Sequence, residues 1–224
     1  MLIIDSINRP EALRYLACHD ENISELESGI MDRCESELVG ILSPRFVYRY
    51  FDIEVSADKV KLIGANLILD GADISAHLNE CSGVVLIAAT LGADADALIR
   101  KMQITDMARA VITDALASAA IEQVCVAAEE KIKSEHTGKY FTWRYAPGYG
   151  DFSIEIQKRF LDVLDAPRKI GLCTSESSML TPIKSITSVM GVSETPLSHK
   201  MRGCITCDMR EKCRFRKRGL HCGF

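Results

Sequence analysis

The sequence predicts a fold of the α+β class, and three observations carry that prediction. Two runs rich in aromatic and β-branched residues, RFVYRYFDIEV and VKLIGANLILDG, have the composition of strands. A third run, SGVVLIAATLG, is apolar without interruption and closes on glycine, as a strand buried on both faces would. The longest regular segment, Ile104 to Lys133, instead repeats its apolar residues at three and four positions, the period of a helix.

Taken in order, the first forty residues hold helical patterns, with Ile23, Leu26, Ile30 and Leu38 spaced for one amphipathic face, and Pro44 ends that region. RFVYRYFDIEV follows as a strand. The next run folds back on itself as a hairpin-like pair around Gly64-Ala65-Asn66. After SGVVLIAATLG, the turn Thr90-Leu91-Gly92 leads into a helix over ADADALIRKM. In the long helix the apolar face reads Ile104, Met107, Ala108, Val111, Ile112, Ala115, Leu116, Ala119 and Ala120. Nearly half of these are alanine, which lets another element approach closely and predicts a central helix. Asp114, Ser118 and Glu122 follow at four-residue steps beside that face. They line either a cleft or a solvated edge, and spacing leaves both open. Further on, SIEIQKRFLDVLDA is a helix carried by Ile154, Phe160, Leu161 and Leu164 and stopped by Pro167. KIGLCTSESSMLTPIKSITSVMGV supplies two strand-like runs around a polar turn.

A chain with 47% hydrophobic and 26% charged residues belongs with folded rather than disordered proteins. No segment reads as a membrane span, and MLIIDSINRP lacks the basic flank and apolar length of a secretion signal, so a cytoplasmic protein is expected. In that setting cysteines are buried small side chains, reactive thiols or metal ligands rather than disulfides. Cys18, Cys34, Cys81, Cys125 and Cys173 are scattered through apolar surroundings and read as core. Cys204, Cys207, Cys213 and Cys222 crowd the end of the chain. From His199 to Phe224 there are eight Lys or Arg against two acids, leaving 19 basic against 29 acidic residues before it. Two parts are therefore expected: a body over residues 1–198 and a basic four-cysteine tail over 199–224. Four thiolates at the tail's spacing are within reach of one ion, and by residue type they suit zinc or an iron-sulfur cluster equally, with His199 and His221 as possible substitutes. Reactive thiols or a disordered tail are the other readings. The RFRKR run is short and has no aromatic platform, so nucleic acid is not expected as a partner.

RYAPGYG, residues 144–150, concentrates chemistry. Pro147 fixes φ and Gly148 accepts a positive φ, so the pair makes a rigid turn that presents its neighbours accurately. Arg144 offers a planar fork for a carboxylate or phosphate, and Tyr145 and Tyr149 offer ring faces and hydroxyls. Such a loop suits a small zwitterion carrying a flat ring. No Ser-His-Asp or paired-carboxylate arrangement accompanies it, so no catalytic residue is assigned.

The order of a small-residue helix with DALASAAIEQ, then RYAPGYG, then a helix, then SSMLTPIKSITSVMGV resembles the activation domain of cobalamin-dependent methionine synthase, which binds S-adenosylmethionine. The resemblance is specific over roughly Asp106 to Val192 and looser over the preceding strands. It implies helices packed around a curved antiparallel or mixed sheet. It also implies that Arg144 meets the methionyl carboxylate while Ala146, Gly148 and Tyr149 meet the rest of the ligand. The family's acidic residue near the ligand ammonium aligns with Ser118, and Glu122, one turn later, is the expected substitute. A free-standing form of this domain implies a corrinoid-binding methionine synthase or methyltransferase as a separate partner. There its cobalamin would be reductively methylated, with an electron donor such as flavodoxin or ferredoxin. The alternative is a metal-bound adaptor, or a module that senses S-adenosylmethionine without turnover.

Overall fold

The protein is described from a computed structural model, over residues 2–16, 25–198 and position 211. In chain order the elements are α1 (Arg9–Tyr15), α2 (Glu25–Val39), β1 (Arg45–Val55), β2 (Lys59–Leu62), β3 (Ile68–Asp70), α3 (Ala72–Leu78) and β4 (Gly83–Thr90). They continue as α4 (Ala93–Thr105), α5 (Met107–Glu135), β5 (Tyr140–Phe141), α6 (Gln157–Leu164), α7 (Ala166–Ile170), β6 (Cys173–Thr174), β7 (Leu180–Thr181) and β8 (Ser185–Ser193).

Everything is arranged about β4. Its sequence GVVLIAAT carries no polar side chain before the terminal threonine, and all eight positions are buried. A strand with no solvent-facing side must have partners on both edges and layers on both faces. It pairs antiparallel with β1 over Arg45–Asp52 and with β8 over Ser185–Val192. The full sheet runs β3-β2-β1-β4-β8-β5 with every pairing antiparallel, and β6 and β7 form a separate two-stranded ribbon. The predicted hairpin around Gly64 is the β2–β3 connection, where Gly64 has φ 79.

Alternation along β4 separates two cores. Val84, Leu86 and Ala88 face Ile74 and Leu78 of α3, Phe160, Leu161 and Leu164 of α6, and Ile170 of α7. Val85 and Ile87 face Ala128 and Ile132 of α5, while Ala89 joins Leu116, Ala120 and Val124 of α5 with residues from α1, α2 and α4. Each fully buried Leu or Ile contributes about 1.5–3 kcal/mol of transfer free energy, so both layers hold the sheet.

The two predicted helices are both present, but the boundary between them lies later than expected: Ile104 and Thr105 belong to α4, and α5 begins at Met107. Asp106, with φ −159, ends α4 and caps α5, its carboxylate accepting from the Arg109 N–H at 3.2 Å. The break resets the helical phase, which corrects part of the expected apolar face. Ile104 is 87% exposed, and Met107 and Val111 also point to solvent. The alanine-rich remainder, Ala115, Leu116, Ala119 and Ala120, is buried as expected. By length and composition α5 would suit a membrane span, yet much of its apolar surface, Leu116, Ile121 and Val124 among it, is buried in the core of the protein. Of the cysteines expected in the core, Cys34, Cys81 and Cys125 are buried, but Cys173 is exposed on the edge ribbon. Cys18 and all four tail cysteines lie outside the described residues.

Candidate functional site

The RYAPGYG loop hangs from the outer edge of β8. Beyond β5, Thr142 stays tied to Gly191 by two bonds, N to O at 3.0 Å and Oγ1 from the Gly191 N–H at 2.8 Å. Tyr145 then exchanges backbone bonds with Val189 at 2.9 and 2.8 Å. There the chain leaves the sheet. Pro147 is buried, and Gly148 takes φ 99, a conformation that disfavours any side chain. A Cβ on Gly148 would also come within 2.9 Å of Ile154 Cγ2. The turn closes through the Gly148 N–H to Phe152 O at 2.7 Å, with the Phe152 ring sunk in the core as its anchor.

Side chains alternate on either side of an extended backbone, so this one bridge distributes the motif. Tyr145 packs into the α3 and α6 layer. Arg144 and Ala146 therefore face α5. The Arg144 side chain is only 12% exposed, with Nη2 at 2.8 Å from Glu122 Oε2 and Nε bonded to Glu129 Oε1. Burial opposes its charge, but the Glu122 and Glu129 carboxylates outweigh burial and raise its pKa above the ordinary arginine value. The guanidinium is thus permanently charged. Burial pushes the adjacent Cys125 thiol up to about 12, so it stays protonated and inert.

This geometry leaves part of the arginine available. Its contacts engage Nε and Nη2, so among the described residues Nη1 makes no hydrogen bond. The end-on edge can accept a carboxylate in two parallel bonds.

A second cation closes the other end of the polar row on α5. Lys184 Nζ lies 2.8 Å from Asp114 Oδ1 and 2.9 Å from Ser118 Oγ. Between Lys184 and Arg144 runs a stretch of β8 edge on which no strand pairs among the described residues. Val189 bonds Tyr145, so by the two-residue alternation of antiparallel ladders the backbone of Thr187 faces that same open edge. The register also sets Ser188 opposite Ala146, and the Ser188 hydroxyl is buried without a hydrogen-bond partner among the described residues.

Of the residues expected from sequence, Arg144 and Glu122 come together, but as partners of each other. Ala146 and Gly148 continue the same loop, and Tyr149 stands 62% exposed at its tip, its ring 6.1 Å from that of Tyr145. Asp114 and Ser118 are neither a bare solvated edge nor an open cleft wall, because Lys184 occupies them. Sequence reasoning missed Glu129 and Lys184. Glu129 follows Glu122 by seven residues, a helical repeat that spacing alone would have found. Lys184 had no signal, since its role depends on how β8 lies against α5. Among the described residues no group of three or more His, Cys, Asp or Glu side chains is placed to hold a metal.

No family model matches the sequence, and no curated protein matches it. Solved structures do match in shape. The crystal structure of the MetH reactivation domain bound to AdoHcy superposes with a TM-score of 0.64 at 13% identity, covering 96% of this chain and 82% of that one. The α+β architecture with its antiparallel sheet is therefore shared between the two.

Proposed function

We propose that the slot between α5, the open edge of β8 and the 144–149 loop binds S-adenosylmethionine, and that the protein uses it to reactivate the corrinoid of a separate methionine synthase or methyltransferase. The observation that carries this reading is the buried Arg144, charged, held on one side by two acids, and offering its end-on edge beside a glycine turn. The likeness in fold to a reactivation domain that was crystallised with AdoHcy supports it. A methionyl head group is a zwitterion. Its carboxylate fits the Nη1/Nη2 edge of Arg144, and its ammonium fits Glu122, so the ligand inserts into the existing ion pair and each charge keeps a partner. Gly148 lets the rest of the ligand approach the backbone, where Ala146 contributes main-chain groups and the Tyr149 ring an exposed face.

Bound S-adenosylmethionine supplies an activated methyl group on a sulfonium. The chain's own contribution is orientation and exclusion of water, with no proton to move. In the balanced reaction, one electron from a flavodoxin- or ferredoxin-type donor reduces the partner's cobalt. The methyl group passes to it, and S-adenosylhomocysteine leaves with the electron pair of the broken C–S bond.

The test is methyl transfer from labelled S-adenosylmethionine to a separate corrinoid protein supplied with reductant, alongside calorimetric titration of the full chain. Binding with transfer is the expected result. Binding without transfer to any corrinoid protein favours a module that senses the ligand. Absence of binding removes both.

A further inference from the structure

We propose that α3 is a clamp holding the 144–150 loop in its ligand-binding shape, with Asp151 and His77 as the positioning residues; this rests on reading that loop as a ligand site. The two residues bracketing the loop are both tied to this one helix. On the far side, Asp151 caps the first turn of α3, its Oδ2 accepting from the Ala72 N–H at 2.7 Å and its Oδ1 from the Asp73 N–H at 3.1 Å. The local cap residue, Gly71, has no side chain to do this. Asp73 reciprocates, its Oδ2 accepting from the Asp151 N–H at 3.2 Å. On the near side, the buried His77 of the last turn donates from Nε2 to Trp143 O at 3.0 Å, its ring 4.7 Å from the Trp143 ring and 5.1 Å from that of Tyr145.

The clamp is itself anchored in the core, with Ile74 between those two contacts and Leu78 just beyond them both fully buried. Its closure also dictates the glycines. Gly150 has φ 53, and a Cβ there would fall inside contact distance of the Asp73 carboxylate and 2.8 Å from the Tyr145 hydroxyl. A Cβ on Gly71 would stand 2.6 Å from Asp151 Oδ1. The glycine and aspartate that follow RYAPGY thus serve the attachment of the loop. Residues 146–149, between the two ties, are left to present groups to a ligand, and small displacements of such groups cost binding steeply.

The experiment uses the full chain with Asp151→Ala, Asp151→Asn and His77→Phe, and with Leu38→Ala on the opposite face as a stability control. S-adenosylmethionine is titrated at a temperature where every variant is folded, and hydrogen exchange is followed over residues 144–152. Asp151→Ala and His77→Phe should each weaken binding about tenfold or more and speed exchange in the loop but not along β4. Asp151→Asn, which keeps one acceptor oxygen, should fall between, and the Leu38 variant should bind normally. Unchanged affinity and exchange in folded Asp151→Ala and His77→Phe would overturn the proposal, as would an equal loss of affinity in the control. If the unaltered protein takes up no S-adenosylmethionine, the functional reading fails and loop exchange alone decides whether α3 is a clamp.

Discussion

Arg144 concentrates the chemistry of single residues. Arg144→Ala should weaken S-adenosylmethionine binding by about 2–5 kcal/mol, the range for truncating one member of a buried hydrogen-bonded charge pair. Arg144→Lys should recover little, because an ammonium cannot serve Glu122, Glu129 and a ligand carboxylate from one planar fork. Calorimetry on folded variants checks both, and unchanged affinity would take Arg144 out of the site. Cys125 supports a different prediction. Its thiol is pushed up to about 12 by burial, from an ordinary value of 9.0. Between these values the unfolded chain has released protons that the folded chain still holds. The contribution of this group to stability should then be intact below pH 9 and be lost through pH 12, by about 1.4 kcal/mol per pH unit. Urea unfolding across pH 8–11 measures the slope, which should flatten in Cys125→Ala. The chemistry of Arg144 was legible because its residue type and the proline-glycine turn beside it announce it. Its two acidic partners were legible only in part, since spacing puts a side chain on a face without saying what faces it.

At the scale of elements, the α4–α5 corner is the informative case. Periodicity began the long helix at Ile104, whereas Asp106 ends α4 and caps α5, and Ile104, Met107 and Val111 turn outward. Apolar residues on both sides of the corner kept the period apparently unbroken, and an aspartate before a helix is a weak signal when helix already precedes it. Asp106→Ala should cost about 1 kcal/mol of stability, through loss of the cap on the Arg109 N–H. The urea midpoint reports this, and a shift near zero would mean that packing of Leu116 and its neighbours sets the boundary. The strands were more legible than the helices. GVVLIAAT admits no position but the centre of a sheet, and the hairpin is marked by its glycine. Sheet order, by contrast, depends on β8 returning to pair with β4 from nearly one hundred residues away, and no local pattern records that.

For the molecule as a whole, two parts of unlike charge share one chain, and the proposed roles divide between them. The slot belongs to residues 1–198. The four tail cysteines, if they hold zinc or an iron-sulfur cluster, serve docking or electron relay instead. Anaerobically prepared protein should contain stoichiometric iron with a visible band bleached by dithionite, or stoichiometric zinc without one, and replacing Cys204, Cys207, Cys213 and Cys222 with serine should abolish either. The serine variant should bind S-adenosylmethionine with unchanged affinity. Loss of ligand binding in it would make the tail part of the slot, and a metal-free tail in active protein would remove both roles.

The ion pairs around Arg144 have one more consequence, for how the slot responds to its medium. A solvent-exposed arginine attracts anions from solution, and a charged ligand must evict them, so its affinity declines as salt rises. Here the counter-charges belong to the chain: Glu122 and Glu129 already neutralise the guanidinium behind a surface that is mostly closed. Uptake of a zwitterion becomes an exchange of partners inside the protein, with few ions gathered from or released to the bulk. The dissociation constant should accordingly change by less than about threefold between roughly 50 and 500 mM sodium chloride. A steep dependence would show that the arginine meets its ligand from open water, with the acids turned away.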